Sequence, residues 1–184
     1  MARDVVILVG SLRKESYTRR IARVLVQVAP AALAPRFVEI GSLEFYNQDL
    51  ETATPPANWV AFRDAIRPAH AVLFVTPEYN RSVPGVLKNA IDVGSRPKVS
   101  SVWEKKPAGV VSVSPGMISG FGANHHLRQM LVWLNMPALQ QPEAYVGGVD
   151  KRFNAAGELT DESTREFLRT YMEAFASWIE RLSS

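Results

Sequence analysis

The sequence predicts an open α/β fold: a five-stranded parallel sheet, strand order 2-1-3-4-5, with helices on both faces. Three observations predict it. Short apolar runs rich in β-branched residues alternate with longer stretches of helical period. The first of these runs, Val5 to Val9, is apolar throughout, as a strand covered on both faces must be. No internal repeat or low-complexity linker interrupts the alternation, so the 184 residues are expected to form one domain, 1–184.

The first strand is expected over Asp4 to Val9, because four of the five residues Val5-Val6-Ile7-Leu8-Val9 are β-branched. It empties through Gly10-Ser11 into a helix expected over Tyr17 to Val28. A second strand at Arg36 to Ile40 and a helix at Ala57 to Ile66 follow. The third strand, Ala71 to Thr76, leads to a helix over Pro84 to Gly94. Pro84 suits the first turn of that helix and Gly94 its end. The fourth strand is expected at Ala108 to Ser114, the next helix at Ala123 to Asn135, and a short fifth strand near Ala144 to Gly147. Thr160, Asp161-Glu162 and Ser163 mark the start of a last helix over Asp161 to Leu182. Its apolar residues, from Phe167 and Leu168 to Ile179 and Leu182, keep the 3.6 period. In such sheets ligands sit at the carboxyl ends of the strands, at the switch point between strands one and three.

Composition narrows the function. Hydrophobic residues make up 47% and charged residues 21%, an ordinary globular balance. No run of roughly 18 apolar residues exists, so no membrane partner is expected. Met-Ala-Arg-Asp runs directly into a strand, so no leader is expected and the location is taken as cytoplasmic. Cysteine is absent, which removes disulfides, thiolate metal sites and thiol nucleophiles. Redox chemistry would have to come from a cofactor. The net charge of +3 is mild, and outside Arg13 to Arg23 the basic residues are scattered. A nucleic-acid binder would show a larger basic face, so no nucleic-acid partner is expected.

The loop after the first strand carries the strongest signal. Gly10-Ser11, then Arg13, Ser16 and Thr18, lie between a strand and a helix start. Backbone N–H groups, hydroxyls and the helix dipole converge there on one spot and form an anion cradle. Arg13, Lys14, Arg19, Arg20 and Arg23 add the same sign. Gly10 is not followed by the spacing of a nucleotide-triphosphate loop. The dinucleotide fingerprint needs three glycines in this turn, and only Gly10 is present. The later Gly120-Phe121-Gly122 is followed by His125 where the third glycine would stand. Glu39 could mimic a ribose-binding acid, but reads better as a surface charge at a strand end. Hydroxyls plus one arginine suit a terminal phosphate monoester, such as that of flavin mononucleotide (FMN).

Two further loops converge on the same sheet end. Thr76-Pro77-Glu78-Tyr79-Asn80-Arg81-Ser82 is a rigid, proline-bounded loop suited to the edge of a flat heterocycle. Ser114-Pro115-Gly116 and the glycines that follow allow close backbone approach to a planar ligand. Gly10-Ser11-Leu12-Arg13 with Ser16, Pro77-Glu78-Tyr79-Asn80, and Pro84-Gly85-Val86-Leu87-Lys88-Asn89-Ala90-Ile91-Asp92 together resemble the NADPH-dependent FMN reductase family. Tyr46-Asn47-Gln48-Asp49-Leu50 resembles that family's loop after strand two. The similarity runs from Val5 to about Trp133. It implies a flavodoxin-like fold, and FMN phosphate held by Ser11, Arg13, Ser16, Tyr17 and Thr18. It places the flavin ring against Pro77, Glu78, Tyr79, Asn80 and Ser82, with Ser114, Pro115 and Gly116 on the far side.

The expected activity is hydride transfer from NADPH or NADH through FMN to a small acceptor, by a ping-pong mechanism. Quinones, chromate, azo compounds, free flavin and ferric chelates, known acceptors of similar bacterial reductases, are the candidates. Hydride transfer itself needs no acid or base side chain, so none is assigned as catalytic. Tyr46, Asp49 and Leu50 are expected to reach towards the other subunit's site and line the acceptor slot. Arg96 is a candidate contact for NADPH phosphates or an anionic acceptor, against the plainer reading of a solvated helix-end cation. The resemblance also implies a homodimer or homotetramer. The apolar surplus on the helices over Pro84 to Gly94 and Ala123 to Asn135 is consistent with a partner. His125 and His126 diverge by about 100° on a helix, so they do not share one ion and no metal site is expected. They read as surface or interface residues. His70 reads as solvated, and Lys88 with Asp92 as a pair along one helix.

Three rivals share the fold. An electron carrier of the flavodoxin type is usually acidic, with a phosphate loop richer in threonine. A phospho-receiver needs acids after strand one and an aspartate after strand three, where Gly10-Ser11 and Thr76-Pro77 stand. An interaction module that has lost its flavin would purify without colour.

Overall fold

The computed structural model describes residues 1–183. A five-stranded parallel sheet of order β2-β1-β3-β4-β5 forms its centre. The strands are β1 (Arg3–Val9), β2 (Leu33–Phe37), β3 (Ala71–Thr76), β4 (Ala108–Val113) and β5 (Ala144–Val146). The helices are α1 (Tyr17–Gln27), α2 (Ala57–Ile66), α3 (Gly85–Gly94), α4 (Phe121–Trp133) and α5 (Glu162–Ser183). The predicted strand order is the observed one.

The central strands are buried on both faces, and their alternation divides the core in two. Val5, Ile7 and Val9 of β1 point to one side, with Leu73 and Val75 of β3, and pack against α1 and α5. Val6 and Leu8, with Val72 and Phe74, point to the other side, beneath α2, α3 and α4. Each fully buried side chain of this size contributes roughly 1.5–3 kcal/mol. α5 spans its layer by burying Leu168, Tyr171, Met172, Phe175 and Ile179 on one stripe. Gly109 makes room for this: a Cβ there would sit 2.9 Å from both Leu73 and the Tyr171 hydroxyl. That hydroxyl donates to the Val110 carbonyl at 3.2 Å.

Two sequence expectations are corrected. β2 begins at Leu33, earlier than expected, and pairs with β1 from Arg3↔Leu33 to Ile7↔Phe37. Pro35 lies inside it, and an edge strand tolerates the missing donor. Ile40 leaves the sheet and joins the core beneath α2. The apolar surplus on α3 is also absorbed internally: Leu87, Ala90, Ile91 and Val93 are all buried. Trp103 fills that layer and donates its indole N–H to the Ile91 carbonyl at 2.8 Å. On α4 the surplus is real and greatest at its end, where Val132 and Trp133 remain 81% and 79% exposed.

Candidate functional site: a cavity at the carboxyl ends of strands one, three and four

β1 ends against β3, with Gly10 donating its N–H to the Val75 carbonyl at 2.8 Å. The chain then turns into α1, whose N-cap is Ser16. Ser16 Oγ accepts the Arg19 N–H at 3.1 Å. Its hydroxyl hydrogen remains available to donate. Ser11 and Thr18 are buried. Among the described residues, their hydroxyls and the exposed Arg13 guanidinium have no protein partner. No acidic residue stands in the first turn of α1. Positive dipole, hydroxyl donors and one free cation therefore face the same hollow.

The opposite wall is built differently. Asn80 and Arg81 both adopt positive φ, 51° and 67°. Tyr79 and Ser82 exchange backbone hydrogen bonds of 2.9 and 3.0 Å around them. This is a tight turn of the type that normally carries glycine, here held by its surroundings. Glu78 supplies one restraint: its carboxylate accepts the Ala123 N–H at 3.0 Å and pairs with Arg81 at 3.2 Å. Gly122 is needed beside it, because a Cβ would lie 3.0 Å from both the Arg81 carbonyl oxygen and Glu78 Oε2. Ser82 supplies the other, through a 2.7 Å hydrogen bond between its Oγ and His126 Nδ1.

The two walls and the end of β4 enclose a cavity of about 180 Å³. Ser11, Arg13, Ser16, Tyr17 and Thr18 line one side, and Pro77, Glu78 and Tyr79 the other. Ser114 and Pro115 close the third. Val113 and Val149 also line it and were not anticipated. Val113 was legible as the last buried residue of β4, whereas Val149 follows a turn whose direction the sequence does not reveal. Asn80, Ser82 and Gly116 lie outside the lining. So do Tyr46, Asp49, Leu50 and Arg96.

Each outlying residue has an evident setting. Tyr46 stacks on Trp59 at 5.3 Å between ring centres and donates its backbone N–H to Asn89 at 2.8 Å. Asp49 and Leu50 are exposed in a short 3-10 turn. Arg96 donates to the Ser95 carbonyl and hydroxyl at 3.3 Å. His125 lies 3.0 Å from the Tyr145 hydroxyl, which burial and a hydrogen bond to Glu143 push up to about 12. His70 Nδ1 accepts the Asp4 N–H at 3.0 Å, and Lys88 pairs with Asp92 at 2.7 Å. Glu39 holds Arg19 through bonds of 2.8 and 2.7 Å, and that pairing lowers its carboxyl below the usual range. The basic reinforcement expected from Arg19 is therefore neutralised.

The donor set fits the phosphate of FMN: three hydroxyls, one guanidinium and a helix start without acids. The apolar Pro77, Val113 and Val149 suit the carbon chain and ring that continue from such a phosphate. Comparison with known proteins agrees. Residues 3–151 match the NADPH-dependent FMN reductase family. A quinone reductase of Pseudomonas putida is 60% identical over 177 residues, covering 96% of this chain and 95% of that one. A 2-hydroxy-1,4-benzoquinone reductase of Burkholderia is 41% identical, covering 97% of each. Among solved structures, the flavoenzyme NAD(P)H:(acceptor) oxidoreductase FerB of Paracoccus denitrificans superposes with a TM-score of 0.91 at 39% identity, covering 98% of each chain. The chain thus belongs to the NADPH-dependent FMN reductase family, oxidoreductases with FMN as cofactor and NAD(P)H as electron donor.

Proposed function

We propose that this protein reduces quinones with NAD(P)H, and that the cavity between α1 and the Pro77–Ser82 loop holds its FMN. The observation that carries the siting is the set of unpartnered donors, Ser11, Thr18 and Arg13, at the start of α1. Quinone is favoured among the acceptors because the relatives at 60% and 41% identity are quinone reductases. An electron-carrier role is not favoured.

Arg13 and the α1 start would neutralise the phosphate, and the hydroxyls of Ser11, Ser16 and Thr18 would orient it. Tyr79, half exposed at the cavity edge, would cover the ring and shield it from water. Bound FMN supplies the ability to accept a hydride and pass two electrons onward. No side chain of the cavity need carry a proton for that transfer. Donor and acceptor would use one open face in turn, so turnover is expected to be ping-pong.

The same reading places the enzyme in the cytoplasm, where reduced nicotinamides are made, as one domain over 1–184. It makes the enzyme a homodimer at least, supported by the exposed Val132 and Trp133 on α4. Purified protein should be yellow, release about one FMN per chain on denaturation, and oxidise NAD(P)H in a 1,4-benzoquinone-dependent manner with parallel double-reciprocal lines. Absence of flavin after incubation with excess FMN sinks the cofactor assignment. Intersecting lines sink the shared face, and a fully active 20.4 kDa monomer in sedimentation sinks the dimer.

A further inference from the structure

A second concave surface lies on the α1–α5 side, sharing no lining residue with the FMN cavity. It is a hollow of about 410 Å³, within the range of small-molecule sites. Three guanidinium groups line it: Arg20 and Arg23 from α1, and Arg165 from α5. These two α1 arginines belong to the basic run first read as support for the phosphate loop. The structure turns them away from it.

The hydrogen bonding around this hollow is incomplete. Arg20 Nε is buried and has no partner. A buried unpaired donor of this kind is rare and needs a reason. Arg20 is held in place all the same, with its guanidinium 5.6 Å from the Tyr17 ring centre and 5.8 Å from that of Phe153. Arg23 is exposed and has no protein partner among the described residues. Arg165 donates to the Leu159 carbonyl at 2.8 Å. The carboxylates nearby are loosely placed. Glu15 reaches Arg20 at 3.4 Å and Glu162 reaches Arg165 at 3.3 Å, from side chains that are 71% and 77% exposed. Exposed pairs of this kind give way easily to a better anion. Glu158, the one acid in the lining, already accepts from the Asn154 amide at 2.8 Å.

We propose that this hollow is a second anion site, for a phosphate monoester small molecule. Guanidinium groups converging from two helices match a doubly charged tetrahedral oxyanion better than a single carboxylate. The hollow is larger than a phosphate ion, and Val24, Leu159 and Gln27 give it a mixed wall for the organic part of an ester. Free phosphate shares the recognised group, so the two sources must be separated by experiment.

The test uses FMN-loaded protein in phosphate-free, low-salt buffer. Calorimetric titration is run with adenosine 5′-monophosphate, with adenosine and with inorganic phosphate. The ester is expected to bind saturably, one per chain, and adenosine not to bind. Inorganic phosphate binding as tightly as the ester would support the anion site with free phosphate as its occupant. Arg23→Ala, an exposed change that leaves the fold intact, should weaken the ester roughly ten-fold or more while NAD(P)H turnover stays unchanged. Arg165→Gln should do the same. Failure of both phosphate probes to bind overturns the proposal. So does binding that neither variant alters, because the ester would then be occupying the donor site by the flavin.

Discussion

The two main walls of the cavity are opposites. The loop from Gly10 to Thr18 leaves donors free: Ser11, Thr18 and Arg13 have no side-chain hydrogen-bond or ion-pair partner among the described residues. The loop from Pro77 to Ser82 uses its side chains up, Glu78 on the start of α4 and Arg81, Ser82 on His126. One wall is a set of donors waiting for an anion, and the other is a braced surface. Free donors produce affinity; braced backbone produces shape. Mutations in the first loop should therefore change cofactor affinity with little change in folding. Mutations in the second should change folding and the geometry of the ring site together.

The largest effect is expected at Arg13. Arg13→Ala should raise the dissociation constant for FMN roughly ten- to a hundred-fold, the worth of one charge-assisted contact. The urea midpoint of the apoprotein should hardly move, because Arg13 is exposed and unpaired. Apoprotein titration and urea unfolding read the two quantities separately. An unchanged FMN constant would mean that Arg13 does not face the phosphate.

Glu78→Ala tests the braced wall. It removes the acceptor of the Ala123 N–H and the partner of Arg81 in one step. The expected loss is about 1–3 kcal/mol of stability, together with weaker FMN binding as the strained turn at Asn80 and Arg81 relaxes. If FMN affinity falls while stability holds, Glu78 acts on the cofactor directly and the contrast between the walls fails. Ser82→Ala is the milder version. Losing its bond to His126 should cost about 0.5–1.5 kcal/mol, and His126→Gln should preserve part of it. Additive effects of the two changes in the double variant would show that they do not act as a pair.

Much of this architecture is legible in the sequence because burial on both faces leaves a plain signature. β1 and β3 carry unbroken apolar stretches, Val5 to Val9 and Ala71 to Val75, β4 is broken only by Ser112, and the order 2-1-3-4-5 comes with the doubly wound fold class. The first loop was equally legible, since free hydroxyls and Arg13 beside a helix start mean the same thing in any fold. β2 was misplaced because an edge strand needs less apolar sequence and admits Pro35. The apolar residues of α3 were misread as surplus because the sequence does not show Trp103 folding over them. The bracing of the second wall was hidden for a similar reason. Gly122 beside Glu78, and His126 beside Ser82, meet only once α4 has packed, and no local pattern announces such long-range contacts. For the same reason Arg20 and Arg23 looked like neighbours of Arg13 and proved to face elsewhere.

The third wall, which carries Val149, shows which of the two designs the rest of the cavity follows. The chain after β5 is tied down by Arg152, which donates to the Gly147 carbonyl at 2.9 Å and pairs with Asp161 at 3.1 Å. Asp161 also caps α5, accepting the Thr164 N–H at 2.6 Å and the Ser163 hydroxyl at 2.7 Å. These hydrogen bonds from Thr164 and Ser163, with Arg152 beside them, hold its carboxyl well below the usual range. A carboxyl whose folded value lies below its unfolded one, near 3.9, stabilises the fold above about pH 4. That contribution is lost as pH falls through the folded value. Asp161→Asn should therefore destabilise the protein most at neutral pH, and the gap to the parent should narrow steadily between about pH 5 and pH 3. Urea midpoints measured across that range decide it, and the effect is modest because the side chain is 35% exposed. A narrowing gap would put this wall with the braced one, fixed by its own side chains before any cofactor arrives. A constant gap would mean that the Asp161 charge contributes nothing to the bracing, leaving Val149 to be positioned by packing alone.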